Sequence, residues 1–373
     1  MSRGDYVLGC LMCGYRIRGQ PLVYSLCPRC GGALGIELAD HVFKVNHELP
    51  GLWRYSTLLP PIYSKYSLGE GMTPINSFDG VLIKNERFNP TGSYTDRASA
   101  VIVSYVKDLG IHEIRSKYVK DFTKSFMHYS LNAGLKADVV VDDITSVELD
   151  DITYFAQKGI SLLRNVEGSS LCVGYVNPLT IEGLKTIVFE LHEKGLKAET
   201  VVVPAETGLL ALSLLKGLRD LRECGLDVNY EITAATIKGL NVPLLSGVKG
   251  VRVVEVPEDE VYYAFKRLID RGLRTKPLSA LSFYVAQNIG NSVAVITMGY
   301  RSLSTNKSVI KKLILDALAK RGPMTAYEIW RSRQTYTLRA VYKAVKSMEA
   351  RGEICFDIKS KGRRKVKLYR LCS

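Results

Sequence analysis

Apolar positions fall into two alternating patterns along most of the chain. Short β-rich runs recur at Val81-Leu82-Ile83, Ala137-Asp138-Val139-Val140-Val141, Val201-Val202-Val203, Val251-Arg252-Val253-Val254 and Val293-Ala294-Val295-Ile296. Between them lie stretches with apolar residues three or four apart, such as Leu209–Arg222 and Asp259–Arg271. Near-continuous apolar runs fit strands buried on both faces, and the 3.6-residue period fits helices. Their alternation over residues 43–304 predicts an α/β domain with a largely parallel sheet. Ligands of such domains sit at the carboxyl ends of the strands.

Residues 305–373 follow another pattern. Ser308–Leu318 has helical spacing and stops at Arg321-Gly322-Pro323. Thr325-Ala326-Tyr327-Glu328 is a capping box that opens a second helix through Trp330. Leu338, Val341, Val345 and Met348 share one face of a third helix. Ile354–Lys359 and Lys365–Leu371 predict two strands around Ser360-Lys361-Gly362-Arg363-Arg364. This order resembles a winged helix-turn-helix domain. Polar Ser302–Lys307 is the expected linker.

Charge sharpens that division. The 373-residue chain carries a net +14, and from Lys307 onward there are 18 Lys and Arg against 5 Asp and Glu. The rest is close to neutral, so one segment holds nearly all the positive excess, as a module for a polyanion would. With the apolar face of the third helix turned inward, Arg339, Lys343 and Lys346 face outward, joined by Thr335, Thr337 and Tyr342. The winged-helix resemblance implies that this helix enters the major groove of double-stranded DNA. Lys359, Lys361, Arg363, Arg364 and Lys365 would lie along the backbone from the wing. A protein-binding winged helix and an RNA partner are the alternatives.

Hydrophobic residues make up 46% and charged residues 24% of the chain, which excludes a disordered protein. No window approaches the length of a spanning helix, and the N-terminus has no signal-peptide pattern, so a cytoplasmic protein away from membranes is expected. Thiols would then stay reduced. Cys10, Cys13, Cys27 and Cys30 form C-x2-C-x13-C-x2-C, with glycine after each pair. Four thiolates at this spacing predict a closed tetrahedral structural zinc site, a zinc ribbon over residues 1–42. The other four cysteines are isolated along the chain, and Cys172 and Cys224 read as buried small apolar residues.

Several motifs in the α/β region occur in a recognisable order. They are Trp53-Arg54-Tyr55, Leu58-Leu59-Pro60-Pro61, Gly69-Glu70-Gly71-Met72-Thr73-Pro74, Lys84-Asn85-Glu86, Asn89-Pro90-Thr91-Gly92-Ser93-Tyr94-Thr95-Asp96-Arg97, Asn177-Pro178, Glu182-Gly183, Lys185-Thr186 and Thr297-Met298-Gly299. Together they resemble the threonine synthases, whose members also carry zinc knuckles. The resemblance spans about residues 5–304. It implies a fold-type II pyridoxal-phosphate enzyme core, similar to the β subunit of tryptophan synthase.

The departures fall on the chemistry. The family's pattern Asn-Pro-Thr-Gly-Ser-Phe-Lys-Asp-Arg is kept, with Tyr94 as a conservative change from Phe, except at its Schiff-base lysine, where this chain has Thr95. A hydroxyl cannot form an imine. Lys84, the nearest upstream lysine, belongs to a strand and another part of the pattern. The family's Ser-Gly-Asn-Thr-Gly turn corresponds to Val119-Lys120-Asp121-Phe122-Thr123, with Asp121 at the Asn. Its Gly-rich phosphate loop corresponds to Ala205-Glu206-Thr207-Gly208, with Glu206 beside the phosphate position. The resemblance thus implies a retained fold with a degenerate cleft at Thr95, Asp121, Glu206, Thr207, Gly208 and Thr297, no catalytic residue and no expected pyridoxal phosphate.

The resulting expectation is a DNA-binding transcriptional regulator. A catalytically inactive threonine synthase-like domain would supply homodimerisation and a cleft for a small-molecule effector, an amino acid or related metabolite. The alternatives are a pyridoxal-phosphate lyase with an unusual anchor, and a general architectural nucleic-acid-binding protein.

Overall fold

The computed structural model describes residues 5–164, 171–299, 306–333, 338–350, 352–361 and 364–371. The chain divides into two compact units, residues 1–301 and 302–373. The second boundary falls three residues before the one expected from the sequence. No unit boundary falls at residues 42 and 43, where the ribbon was expected to end.

In the first unit β1 (Tyr6–Cys10), β2 (Arg16–Gly19) and β3 (Leu34–Ile36) form an antiparallel sheet in the order β2-β1-β3. Leu8, Leu34 and Ile36 are fully buried, which ties this small sheet into the larger body. Next come β4 (Ile75–Phe78), β5 (Val81–Asn85) and α1 (Asp96–Asp108). β6 (Glu113–Lys117), α2 (Phe122–Asn132), β7 (Lys136–Val140), α3 (Leu149–Lys158), β8 (Leu162–Leu163) and β9 (Leu171–Val173) follow, and their strands make a parallel sheet in the order β8-β7-β6-β9.

α4 (Pro178–Glu193), β10 (Thr200–Pro204), α5 (Leu209–Glu223), β11 (Glu231–Ile237), β12 (Val251–Val256), α6 (Glu258–Asp270), α7 (Pro277–Ile289) and β13 (Ser292–Ile296) complete the unit. Their strands join β5 and β4 in a six-stranded sheet, β12-β11-β10-β13-β5-β4. Only its β4 edge is antiparallel. Val201–Val203 and Val293–Ile296 are buried at the sheet centre, the outcome that continuous apolar runs predict. α1 and α4 cross closely at Gly183, where a Cβ would lie 2.4 Å from the carbonyl oxygen of Arg97. That glycine belongs to a family-like motif, and here its reason is steric.

The second unit contains α8 (Asn306–Arg321), α9 (Ala326–Arg333), α10 (Leu338–Ala350) and an antiparallel hairpin of β14 (Cys355–Lys361) and β15 (Arg364–Arg370). Ile314, Leu318, Ile329, Val341, Val345, Met348 and Tyr369 form its core. The capping box closes as the sequence predicts. Glu328 N donates to Thr325 Oγ1 at 3.2 Å, and Thr325 N donates to Glu328 Oε2 at 2.8 Å. Met324 and Tyr369 exchange two backbone hydrogen bonds, N to O at 2.9 and 2.8 Å, so the α8–α9 turn is stitched to the hairpin. Cys355 is disulfide-bonded, which departs from the expectation that every thiol stays reduced.

Candidate functional site

A cavity of about 910 Å³ opens at the carboxyl ends of both parallel sheets. The four-stranded sheet contributes Asp121 after β6, Asp142 after β7 and Tyr175 after β9. The six-stranded sheet contributes Glu206, Thr207 and Gly208 after β10, and Thr297 after β13. Thus five of the six cleft residues expected from the sequence line one cavity. The sixth, Thr95, lies just outside it.

Thr95 precedes α1 and is 1% exposed. Its hydroxyl is shared with Ser93 Oγ at 2.7 Å and donates to the backbone carbonyl of Asp121 at 3.1 Å. Asp121 begins α2 with φ at +66°, a setting glycine adopts without strain and aspartate holds at a cost of about 1–3 kcal/mol. The positive φ thus falls at the position that the motif gives to Asn.

The side chain of Asp121 leads to a residue that sequence reasoning missed. Lys276, just before α7, donates to Asp121 Oδ1 at 2.5 Å and to Glu148 Oε2 at 2.6 Å. Burial opposes the charge on Lys276, but the two carboxylates outweigh it and hold the ammonium above its ordinary range. Burial pushes the Asp121 carboxyl above the usual carboxylate range, against the pull of Lys276. Lys276 lies 155 residues from Asp121 in sequence. The available signal was Pro277 at the first turn of α7, which places Lys276 at a helix N-terminus.

On the opposite wall Glu206 is exposed, and Thr207 Oγ1 accepts from Leu209 N at 3.3 Å. Gly208 has φ at +90°, and a Cβ there would lie 2.6 Å from Leu245 and 2.9 Å from Val242. Side chains already pack that side of the loop. Thr297 Oγ1 meets Ser279 Oγ at 3.0 Å, and Tyr94 and Tyr175 share a hydroxyl contact at 2.8 Å.

Three other residues of the recognisable motifs, Lys84, Glu86 and Arg97, form a buried ionic cluster with Glu190. The Arg97 guanidinium contacts Glu86 at 2.7 and 2.9 Å and Glu190 at 2.6 and 3.0 Å. Lys84 on β5 donates to Glu190 at 2.5 Å and to the Thr73 carbonyl at 2.7 Å. All four charged groups are buried. Lys84 is thus committed to this cluster, away from the cavity.

The four thiols of Cys10, Cys13, Cys27 and Cys30 lie within 4.8 Å of one another. Cys10 and Cys30 sulfurs are 3.5 Å apart, and those of Cys13 and Cys27 are 3.8 Å apart. A tetrahedral ion bound at about 2.3 Å sets its sulfurs roughly 3.8 Å apart, so the cluster fits one such ion. Gly14 and Gly31 take φ of +72° and +73°, the turns that the knuckle pattern requires. Cys172 is exposed and Cys224 half-buried, contrary to expectation. Cys172 lies on β9, an edge strand of its sheet, and Cys224 caps the C-terminal end of α5.

In the second unit Arg339, Tyr342, Lys343 and Lys346 are exposed and follow the spacing of one α10 face. Lys359 on β14 is also exposed, and Lys361, Arg364 and Lys365 fall within the hairpin strands. Thr335, Thr337 and Arg363 lie outside the described residues.

Residues 66–298 match the model of a family described as pyridoxal-phosphate dependent enzyme. The chain belongs to that family. The threonine synthase of Methanosarcina acetivorans is 25% identical over 311 residues, covering 74% of this chain and 76% of its own. That of Methanocaldococcus jannaschii is 28% identical over 251 residues, covering 58% and 62%. Among solved structures, serine racemase from Dictyostelium discoideum superimposes with a TM-score of 0.53 at 17% identity, over 62% of this chain and 93% of its own. Threonine deaminase isoform 2 from Solanum lycopersicum gives 0.52 at 13% identity, over 74% and 97%. At such identity the structures establish the shared pyridoxal-phosphate fold-type II core and nothing finer. No helix among the described residues is long and apolar enough to cross a membrane.

Proposed function

We propose that this member of the pyridoxal-phosphate family is a DNA-binding transcriptional regulator whose cleft has given up the cofactor. The observation that carries the reading is the double ion pair of Lys276 with Asp121 and Glu148. Lys276 is the cavity lysine nearest in role to an imine anchor, and an ammonium held by two carboxylates has no lone pair for a carbonyl.

Two further features support it. Thr95, at the position the motif gives to the Schiff-base lysine, has a hydroxyl sealed beneath Asp121. The loop expected to cradle a phosphate carries Glu206 in place of glycine, and Leu245 and Val242 fill the space beside Gly208. A carboxylate beside a dianion is repulsive, and close backbone approach is what a phosphate cradle needs. On these grounds the residues present do not fit pyridoxal phosphate. Four thiols at tetrahedral spacing support a structural zinc ion.

For the second unit, three helices, a basic hairpin and the row Arg339, Lys343 and Lys346 support a winged helix that reads duplex DNA. Homodimerisation would pair two such helices on a two-fold operator.

A second reading has its own observation. The family match and the threonine synthase relatives favour a pyridoxal-phosphate lyase, and Lys276 places a primary amine inside the cavity. Adding pyridoxal phosphate to the purified protein separates the two. The regulator predicts no new visible absorbance band, and genomic fragments selected at physiological salt share a palindromic motif. The lyase predicts a band that disappears in Lys276→Ala. Recovery of fragments without a shared motif supports a general architectural binder instead.

A further inference from the structure

Asp121 opens α2 and Glu148 precedes α3, so both carboxylates belong to the half built on the four-stranded sheet. Lys276 comes from α7, in the half built on the six-stranded sheet. Its side chain crosses the cavity between the halves. The Lys276 ammonium is thus a primary amine docked in the cleft on two converging carboxylates, at 2.5 and 2.6 Å. A further cation near the pair is Lys120, 3.8 Å from Glu148 Oε1. Lys276 keeps 16% of its side-chain surface exposed and lines the cavity, where a ligand would meet it.

We propose that the Asp121–Glu148 pair is a receptor for a primary ammonium group, with Lys276 as its tethered occupant, and that a small ligand bearing such a group binds the cleft by displacing Lys276. This rests on the reading above, in which Lys276 holds no pyridoxal phosphate.

The chemistry favours this class of ligand over an anion. An incoming anion would meet Asp121, Glu148 and Glu206, whereas an ammonium replaces Lys276 donor for donor. The cavity volume lies within the range of small-molecule sites, and Tyr94, Tyr175, Leu210 and Leu278 offer a surface for the rest of the ligand. A tethered competitor acts at an effective concentration in about the millimolar range, so it sets a threshold that the ligand must exceed. Displacement breaks both ion pairs that Lys276 makes between the halves.

The test is chemical replacement of the side chain. Melting of Lys276→Ala is followed against propylammonium chloride, with tetramethylammonium chloride at equal ionic strength as the control. The proposal expects a saturable rise of roughly 2–5 °C with propylammonium alone. Wild type should need at least about 10-fold more amine for the same rise. The rise should vanish in Lys276→Ala/Glu148→Gln. If Lys276→Ala is recovered only as aggregate, the same contrast is read as soluble yield on refolding with either salt. Equal effects of both salts, or none from either, overturn the proposal. Pyridoxal phosphate is added to wild type alongside. A visible band overturns the underlying reading; no band together with no amine effect overturns only the ammonium receptor.

Discussion

The Thr95 hydroxyl donates to the backbone carbonyl of Asp121 across 3.1 Å, which closes the start of α1 against the loop before α2. A lysine at this position would have to displace that loop to reach the cavity. Thr95→Lys alone is therefore expected to give no visible absorbance with pyridoxal phosphate. It should also lower stability by about 1–3 kcal/mol, the usual cost of overpacking a buried position. Urea unfolding and a cofactor titration check both outcomes, and turnover by this single variant would contradict the proposed loss of catalysis.

One residue further on, Asp96 is fully buried. Burial raises its pKa to about 7, although Ser125, Thr91 Oγ1 and Thr91 N all donate to it. Its folded value is above its unfolded one. The proton-linked stability is thus complete below about pH 4 and is lost as pH rises through about 7. Urea unfolding across this window should show stability falling by at most about 1.4 kcal/mol per pH unit from this group. Asp96→Asn should flatten that part of the profile.

Arg97 neutralises two buried carboxylates at once. Burial works against the charge on Glu190, but Arg97 and Lys84 outweigh it and hold its pKa down at about 2. Arg97→Met leaves Glu86 and Glu190 with Lys84 alone. The expected cost is about 3–5 kcal/mol, that of breaking a buried pair from one side. A smaller loss by denaturant titration would mean that the carboxylates find water or protons on relaxation.

Metal analysis of the purified protein should find one zinc per chain. Cys10 and Cys27 are buried, so Cys10→Ser or chelation should loosen the β1–β3 sheet and lower the melting temperature. An unchanged melting curve after complete zinc removal would count against a structural ion.

Lys343→Ala and Lys346→Ala should weaken DNA binding about equally for all sequences, each reducing the salt slope by about 1. Arg339→Ala should instead relax preference at one base pair, by about 1–3 kcal/mol. Fluorescence anisotropy with cognate and scrambled duplexes at several salt concentrations separates these effects. A uniform loss on Arg339→Ala would move that residue to the backbone.

Buried parallel strands were legible because both faces are apolar, as in Val201–Val203 and Val293–Ile296. The capping box at Thr325 and Glu328 was legible because it is local. The wall of the cavity was partly legible, through motifs that place Asp121, Glu206, Gly208 and Thr297 at strand ends. Lys276 and Glu148 were not, because neither follows a motif and their meeting depends on how two sheets face each other. The role of Arg97 was also hidden. Its partner Glu190 is 93 residues away on α4 and belongs to none of the motifs.

The paired backbone bonds between Met324 and Tyr369 close the second unit into a ring of contacts, beginning between α8 and α9 and ending in the last strand. A unit closed in this way has no dispensable tail. Cutting the chain before β15 would remove Tyr369 from the core along with Arg364 and Lys365 of the wing. Lost binding in such a truncation would report collapse of the whole fold, so charge reversal at single exposed positions is the sound way to map the surface.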